Sequence, residues 1–282
     1  MIRVVLSGGI GNQLFQYAAG RALALKRNTN LIVDRPTAKL TSVRRIYAMP
    51  RFHVLAQEAA LSSSIYRKWA LKNRLSFLLR GDVFYQEGSN FSEAFFDLPD
   101  DITLFGFFQN ERYFKPFASF IQDELTFRDY PLERETEQMA ASISQDNSVS
   151  VHVRRGDAYL SSEKFNVCTL SYYQTAIKLY RKKLESPTFY FFSDDISWCI
   201  KNFQGGDFIF CDLQQSRNDS INDLRLMSMC KHNIIANSTF SWWAAWLNPN
   251  LNKVIAAPST WFQIPNDPVN QIVCRSWFKI EL

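Results

Sequence analysis

Ser150-Val151-His152-Val153-Arg154-Arg155-Gly156-Asp157 is a short apolar run that stops on two arginines, a glycine and an aspartate. Such a run, rich in β-branched residues and bounded by turn formers, fits a strand buried on both faces. The segments downstream of it decide the fold. Ser171 to Leu184 has helical spacing, and Thr188 to Phe192 is a strand ending at Ser193-Asp194-Asp195. Ile196 to Phe203 is a short helix, Asp207 to Cys211 a strand and Asp219 to Lys231 a helix. Asn233 to Ala236 is a strand, Phe240 to Leu247 a helix and Lys253 to Ala257 a strand. Apolar strands alternating with helices predict a doubly wound parallel sheet with helices on both faces.

Working outward, the amino-terminal half opens in the same idiom. Arg3 to Leu6 is a strand, Ser7-Gly8-Gly9-Ile10-Gly11 a glycine loop and Asn12 to Lys26 a helix, with Asn12 as its expected N-cap. Leu31 to Asp34 and Thr103 to Phe107 are further strands, and Arg112 to Leu125 a further helix; residues 40–100 are ambiguous. The polar stretch Gln145-Asp146-Asn147-Ser148 marks a boundary. The expected organisation is α/β, with two Rossmann-like lobes, 1–147 and 148–282, facing a cleft. In open parallel sheets ligands bind beyond the carboxyl ends of the strands, so the residues just after each strand are the ones to inspect.

Composition narrows the chemistry. The 282 residues are 46% hydrophobic and 21% charged, as in an ordinary globular protein. The five cysteines sit in apolar runs without a C-x-x-C pair, and with only three histidines a Cys/His zinc site is not expected. No run is long enough to span a bilayer and no signal core follows Met1, which predicts a cytoplasmic protein. The net charge of +5 is accounted for by Arg67, Lys68, Lys72, Arg74 and Arg80, because no acid falls between Ile65 and Arg80. Interleaved with Trp69, Leu71, Leu75 and Phe77, these bases make either a solvated helix face over a core stripe or a peripheral contact with the inner membrane. No nucleic-acid partner is expected.

Four strand-end segments carry candidate chemistry. The loop Gly8-Gly9-Ile10-Gly11-Asn12-Gln13 is neither a dinucleotide fingerprint, since Leu stands at position 14, nor a Walker loop. Its glycines and helix start suit either a tight βα turn or close approach of a ligand. His152 to Asp157 places Arg154 and Arg155 at a strand end, where a guanidinium fork matches phosphate oxygens. Adjacent residues on a strand face opposite ways, so one arginine is expected at the anion and the other bracing the loop through Asp157. Of Asp194 and Asp195, one is expected to cap the following helix and the other to contact a ribose or base. Asn237-Ser238-Thr239-Phe240-Ser241 runs from a strand into a helix, either as a simple cap or as a second anion seat. Trp242 and Trp243 are expected in the core.

Taken together, Gly9-Ile10-Gly11-Asn12-Gln13-Leu14-Phe15-Gln16-Tyr17, His152-Val153-Arg154-Arg155-Gly156-Asp157 and Asn237-Ser238-Thr239-Phe240-Ser241-Trp242-Trp243 resemble the bacterial α-1,2-fucosyltransferases of glycosyltransferase family 11. The resemblance runs from residue 3 to about 260, with the motifs in family order. It implies a GT-B-type fold whose amino-terminal lobe faces the acceptor and whose carboxyl-terminal lobe holds the donor. It implies GDP-β-L-fucose as donor, the 2-hydroxyl of a terminal β-galactose in an O-antigen or H-antigen-like glycan or a lipid-linked oligosaccharide as acceptor, inversion, and no metal or other cofactor. By similarity Arg154 meets the β-phosphate and His152 the nucleoside or the loop. Asp223 resembles the acid that reads guanine N–H groups, and Ser238, Thr239 and Ser241, beside Asn237, resemble the phosphate-binding hydroxyls. Asn12, in the loop with Gly11 and Gln13, resembles an asparagine that faces the reaction centre. Arg155 and Asp194 complete the expected donor site.

Inversion requires a proton acceptor for the attacking hydroxyl. Related enzymes place a glutamate downstream of the motif histidine, and the matching offset here is Ser162, with Glu163 beside it. Asp157, Glu163 and His152 are the candidates, with Asp157 preferred because it lies within the motif. Competing hypotheses keep the fold but change the GDP-sugar or acceptor, or remove catalysis and leave a nucleotide-sugar-binding protein.

Overall fold

The computed structural model describes residues 1–35, 47–60, 83–86, 90–129, 133–163, 167–212, 220–262 and 271–282. The basic stretch 65–80 lies outside them. The chain divides into two compact units, Met1–Arg128 and Asp129–Leu282.

In the first unit, strands β1 (Ile2–Val5), β2 (Leu31–Arg35), β3 (Gln57–Ala60), β4 (Val83–Tyr85) and β5 (Ile102–Phe105) form one sheet in the order β3-β2-β1-β5-β4. Every pairing in it is parallel. Helix α1 (Ile10–Lys26) is buried along most of its length by Leu14, Phe15, Ala18, Ala19, Ala22 and Leu23. It starts earlier than expected, on an extended Gly9 without a side-chain cap, so Asn12 lies in the first turn and is not the N-cap. The helix expected over 112–125 is broken into 3-10 turns at Glu111–Tyr113 and Lys115–Phe117 before helix α2 (Ala118–Glu124). Pro116 explains the break, since it has no N–H to donate to the helical ladder. Arg21 pairs with Glu124 at 2.8 Å and Tyr17 donates to the same carboxylate at 2.5 Å, which ties α1 to α2.

The second unit contains α3 (Arg134–Gln145), β6 (Ser148–Val153), α4 (Asp157–Leu160), α5 (Leu170–Lys183), β7 (Thr188–Ser193) and α6 (Ile196–Asn202). It continues with β8 (Phe208–Phe210), α7 (Ile221–Met229), β9 (His232–Ile234), α8 (Thr239–Leu247), β10 (Ile255–Pro258) and β11 (Phe278–Ile280). The sheet order is β11-β10-β9-β6-β7-β8, again with parallel pairings. Val149, Val151 and Val153 face one core with Tyr172, Tyr173, Ala176, Ile177 and Tyr180 of α5, the apolar stripe its helical spacing implies. Ser150 and His152 take the opposite face.

Helix α3 falls within the second unit, ahead of the 147/148 division read from the sequence. Its attachments explain this: Ser148 Oγ donates to the Ile143 carbonyl at 2.8 Å, and Met139 Sδ lies 3.9 Å from Cys211 Sγ. All five cysteines are free and buried. Trp242 and Trp243 are wholly buried, and the Trp242 indole donates to the Ile272 carbonyl at 2.7 Å. Among the described residues no helix is long and apolar enough to cross a membrane.

In the second sheet strand order reverses between β6, which is followed by β7, and β9, which is followed by β10. Connections leave these two neighbouring strands in opposite directions, which opens a crevice at their carboxyl ends. In the first sheet β5 returns between β4 and β1, and the segments after β1 and β5 pack on each other through Arg21, Tyr17 and Glu124.

Candidate active site

The loops after β6 and β9 bound the crevice of the second unit. Arg154 leaves β6 with 43% of its side chain exposed, and its Nη1 sits 2.8 Å from Asp194 Oδ2. Asp194 also accepts from the backbone N–H groups of Arg155, at 2.6 Å, and Gly156, at 2.8 Å. The register explains the meeting, because Val153 pairs with Ser193 and brings the next residues of β6 and β7 side by side. A Cβ on Gly156 would stand 2.8 Å from Asp194 Oδ2, so a larger residue there would push the brace aside. Asp194 is thus a brace for the arginine loop in this structure, where the sequence suggested a ribose or base contact. Asp195 is the capping member of the pair, accepting from Trp198 N at 3.0 Å.

Arg155 does not reach for a phosphate in this arrangement. Its guanidinium lies over the Trp198 ring at 4.0 Å, and its buried Nε has no partner in the structure. Asp194 on the backbone and Trp198 on the guanidinium hold this loop; the brace expected from Asp157 falls on a side chain outside the described residues. Asp157 opens the short helix α4, and its side chain is outside the described set. Glu163 is exposed on the turn beyond that helix.

His152 is 5% exposed, with its ring 5.7 Å from Phe240 in the first turn of α8. Its Nδ1 is buried with no partner. Burial pushes the imidazole down to about 4, with Arg154 pulling the same way and Asp194 opposing, so the ring is neutral at pH 7. Ser238 and Thr239 sit at the α8 start, and Ser238 makes no side-chain cap. The first N–H groups of a helix have no partner within it and carry partial positive charge, so this end can seat an anion. Ser241 is buried and turns its hydroxyl back to the carbonyls of Ala236, at 3.4 Å, and Ser238, at 3.3 Å. Asn237 is engaged internally: its Oδ1 accepts from the Tyr159 hydroxyl and its Nδ2 donates to the Trp261 carbonyl at 2.9 Å. It fastens the β9–α8 turn to α4.

Asp223, in the first turn of α7, differs from every other acid here. It is half-buried, and burial raises its carboxyl to about 6. No cation stands beside it among the described residues. A carboxylate with no cation beside it among the described residues can accept from the N–H donors of a ligand. Among the described residues, no three His, Cys, Asp or Glu side chains converge as a metal set.

The first unit presents a different loop. Gln16 accepts from Ser7 N at 2.8 Å and donates to the Gly106 carbonyl at 2.9 Å, clipping the glycine loop to the segment after β5. Gln13 accepts from Ala48 N at 3.0 Å and donates to the Gly8 carbonyl at 3.2 Å. Asn12 Oδ1 accepts from Gln109 Nε2 at 2.9 Å, joining the loops after β1 and β5. Gly11 is buried in the first helical turn. Gln109, Gln86, Trp198 and Tyr159 were missed from sequence. The strand-end rule would have found the first, had it been applied past Phe107.

Twin parallel α/β sheets of this kind are the GT-B architecture of glycosyltransferases. The chain belongs to glycosyl transferase family 11, whose description matches residues 1–281. It is 30% identical to an alpha-1,2-colitosyltransferase of Escherichia coli over 92% of this chain and 91% of that one. It is 28% identical to the O-antigen biosynthesis glycosyltransferase WbnK of Escherichia coli over 98% and 99%. It is 31% identical to galactoside alpha-(1,2)-fucosyltransferase 1 of Leontocebus fuscicollis over 85% of this chain and 63% of that one. Among solved structures, a GDP complex of an Arabidopsis thaliana FUT1 variant superposes with TM-score 0.51 at 11% identity, over 90% of this chain and 69% of that one. NodZ alpha-1,6-fucosyltransferase co-crystallized with GDP gives 0.50 at 14% identity, over 88% and 92%. At such identities these structures speak to the fold alone. The chain is a glycosyltransferase.

Proposed function

We propose that this enzyme transfers L-fucose from GDP-β-L-fucose to the 2-hydroxyl of a terminal β-galactose, without a metal. The observation that carries the donor half is Asp223, a half-buried carboxylate with no cation beside it among the described residues, suited to the N1–H and 2-amino donors of guanine. The galactose half rests on relatives named as α-1,2 transferases, one of them acting on galactosides. A β-linked donor and an α-linked product have opposite configuration at the anomeric carbon, so one displacement suffices. The galactose oxygen forms the new bond to C1 as the bond from C1 to the phosphate oxygen breaks. GDP leaves with the electron pair, and the hydroxyl proton passes to a base.

Arg154 stabilises the charge growing on the β-phosphate, assisted by the N–H groups at the α8 start with Ser238 and Thr239. In the resting arrangement it is held by Asp194, so the guanidinium is already positioned when the donor arrives. His152 is a weak base at about 4 and is buried, which favours a role in shaping the phosphate seat. Asp157 remains the preferred base. Ser241 and Asn237 support the turn beneath the diphosphate.

A second reading has a specific motive in the 30% identical colitosyltransferase. Colitose is L-fucose without its 3-hydroxyl, so the two donors differ by one oxygen. Purified protein is given GDP-fucose or GDP-colitose with N-acetyllactosamine or lacto-N-biose, and GDP release and product linkage are measured. An α-1,2-fucosylated product, formed equally in EDTA, is the expected result. Faster colitose transfer would move the assignment to the second donor. No turnover with either donor on any β-galactoside would overturn both. An acceptor of the O-antigen class, presented as a lipid-linked oligosaccharide at the inner membrane, belongs to the same proposal.

A further inference from the structure

The loop at the carboxyl end of β5 in the first unit takes an unusual course. After β5 the chain turns sharply at Gly106, whose φ of +141° is open to glycine, and then runs through Phe108 at φ +51°. A left-handed phenylalanine is an uncommon and costly conformation. It is held by Gln86, whose Oε1 accepts from both Phe107 N, at 3.2 Å, and Phe108 N, at 3.0 Å. Phe108 is thereby driven into the core against Phe95 and Tyr113. Phe107 is turned the other way and remains 45% exposed. Two residues on, Gln109 donates one N–H to Asn12.

Resting on the proposed acceptor, we infer that Phe107 and Gln109 are specificity-determining residues for the acceptor sugar, with the Phe107 ring as its stacking platform. Because the 4-hydroxyl of galactose is axial, the C–H groups at C3, C4 and C5 form an apolar face that fits an aromatic ring. Gln109 supplies the polar half. The bond to Asn12 fixes its carboxamide, which can then accept from or donate to a sugar hydroxyl. A ring on a rigidly held backbone loses little freedom when it binds. Glucose, with an equatorial 4-hydroxyl, has a poorer face to offer.

The test compares wild type with Phe107→Ala and Phe107→Trp in the full chain. Steady-state kinetics with N-acetyllactosamine should show Phe107→Ala raising the acceptor KM roughly tenfold. The KM for GDP-fucose, the GDP affinity and the Tm should stay at wild-type values, and Phe107→Trp should restore the acceptor KM. An acceptor KM unchanged in Phe107→Ala, or one that moves together with the donor KM, would overturn the inference. Saturation-transfer NMR on β-galactosides and β-glucosides with GDP present gives an answer without turnover. The galactose C3–C5 protons should be saturated in wild type and lost in Phe107→Ala; equal saturation in both overturns it. A wild type that transfers to no galactoside defeats the proposed function instead, and the NMR comparison still judges Phe107.

Discussion

The strand-end loops of the two parallel sheets are built from opposite chemistry. In the second unit the loop after β6 is gripped by a carboxylate: Asp194 takes two backbone N–H groups and pairs with Arg154. In the first unit the loops after β1 and β5 are gripped by neutral carboxamides, Gln13, Gln16, Gln86 and the Asn12–Gln109 pair. An ionic brace holds a cation at the mouth of a site without neutralising it for good, since the guanidinium keeps further N–H groups for a phosphate. Carboxamides organise a loop while adding no net charge, which suits a site for hydroxyls. The proposed anion seat lies in the half with the ionic brace, and the proposed sugar seat in the half with the carboxamides.

The sharpest way to break this contrast is Arg154→Ala. If its guanidinium meets the leaving diphosphate, kcat should fall by roughly 10²–10³ and GDP affinity should weaken. Kinetics and calorimetry at wild-type levels would defeat the phosphate assignment. Asp194→Asn tests the brace separately. An asparagine keeps one oxygen for the two backbone N–H groups, turns an amide donor toward the other, and releases Arg154 from its ion pair. A misplaced loop should cost about a hundredfold in kcat/KM with Arg154 still present. Equal losses for Arg154→Ala and the double variant would show that Asp194 acts through Arg154.

How much of this was legible in the sequence depends on what each contact requires. The placing of Arg154 at a strand end could be read, because the apolar run of β6 stops on two arginines. So could the parallel sheet of the second unit and the capping by Asp195, which are local. The grip of Asp194 needed the β6–β7 register, and no residue near position 194 advertises it. The Asn12–Gln109 bond joins residues 97 apart, beyond any local pattern. Helix α3 was missed because its apolar face is only Met139, Ala140, Ile143 and their small neighbours among Glu, Gln and Ser. Strand β11 was missed because it is an exposed three-residue edge.

Asp223 extends the contrast from loops to titration. Its folded value of about 6 lies above the ordinary 3.8 of a free aspartate, because burial disfavours the charge. The fold therefore favours the protonated form. Stability from this group is full below pH 4, declines as pH rises toward 6, and stays low above it. At pH 8 the charge costs the fold about 3 kcal/mol. Asp223→Asn should raise Tm by several degrees at pH 8 and by nothing below pH 4, measured by thermal melts. The same change should weaken GDP binding about tenfold to a hundredfold, since charged hydrogen bonds to the base are lost. Wild-type GDP affinity should itself drop as pH falls through 6, and the variant should show no such drop. Unchanged GDP affinity would place the base elsewhere.

The smallest effect comes from bringing a charge into the neutral loop. Gln16→Glu keeps the acceptor for Ser7 N but removes the N–H groups that Gly106 O and Ser7 Oγ now receive. The new carboxylate would face the Gly106 carbonyl, with the residue it replaces buried. The expected cost is about 1–3 kcal/mol of stability. It should shrink on acidification, because a protonated carboxyl regains one O–H donor for the carbonyl. GDP affinity should not change, as the second unit is untouched. A Tm deficit independent of pH would show that the loop is held by packing and not by these bonds. A loss of GDP affinity would show that the division of labour between the two units is wrong.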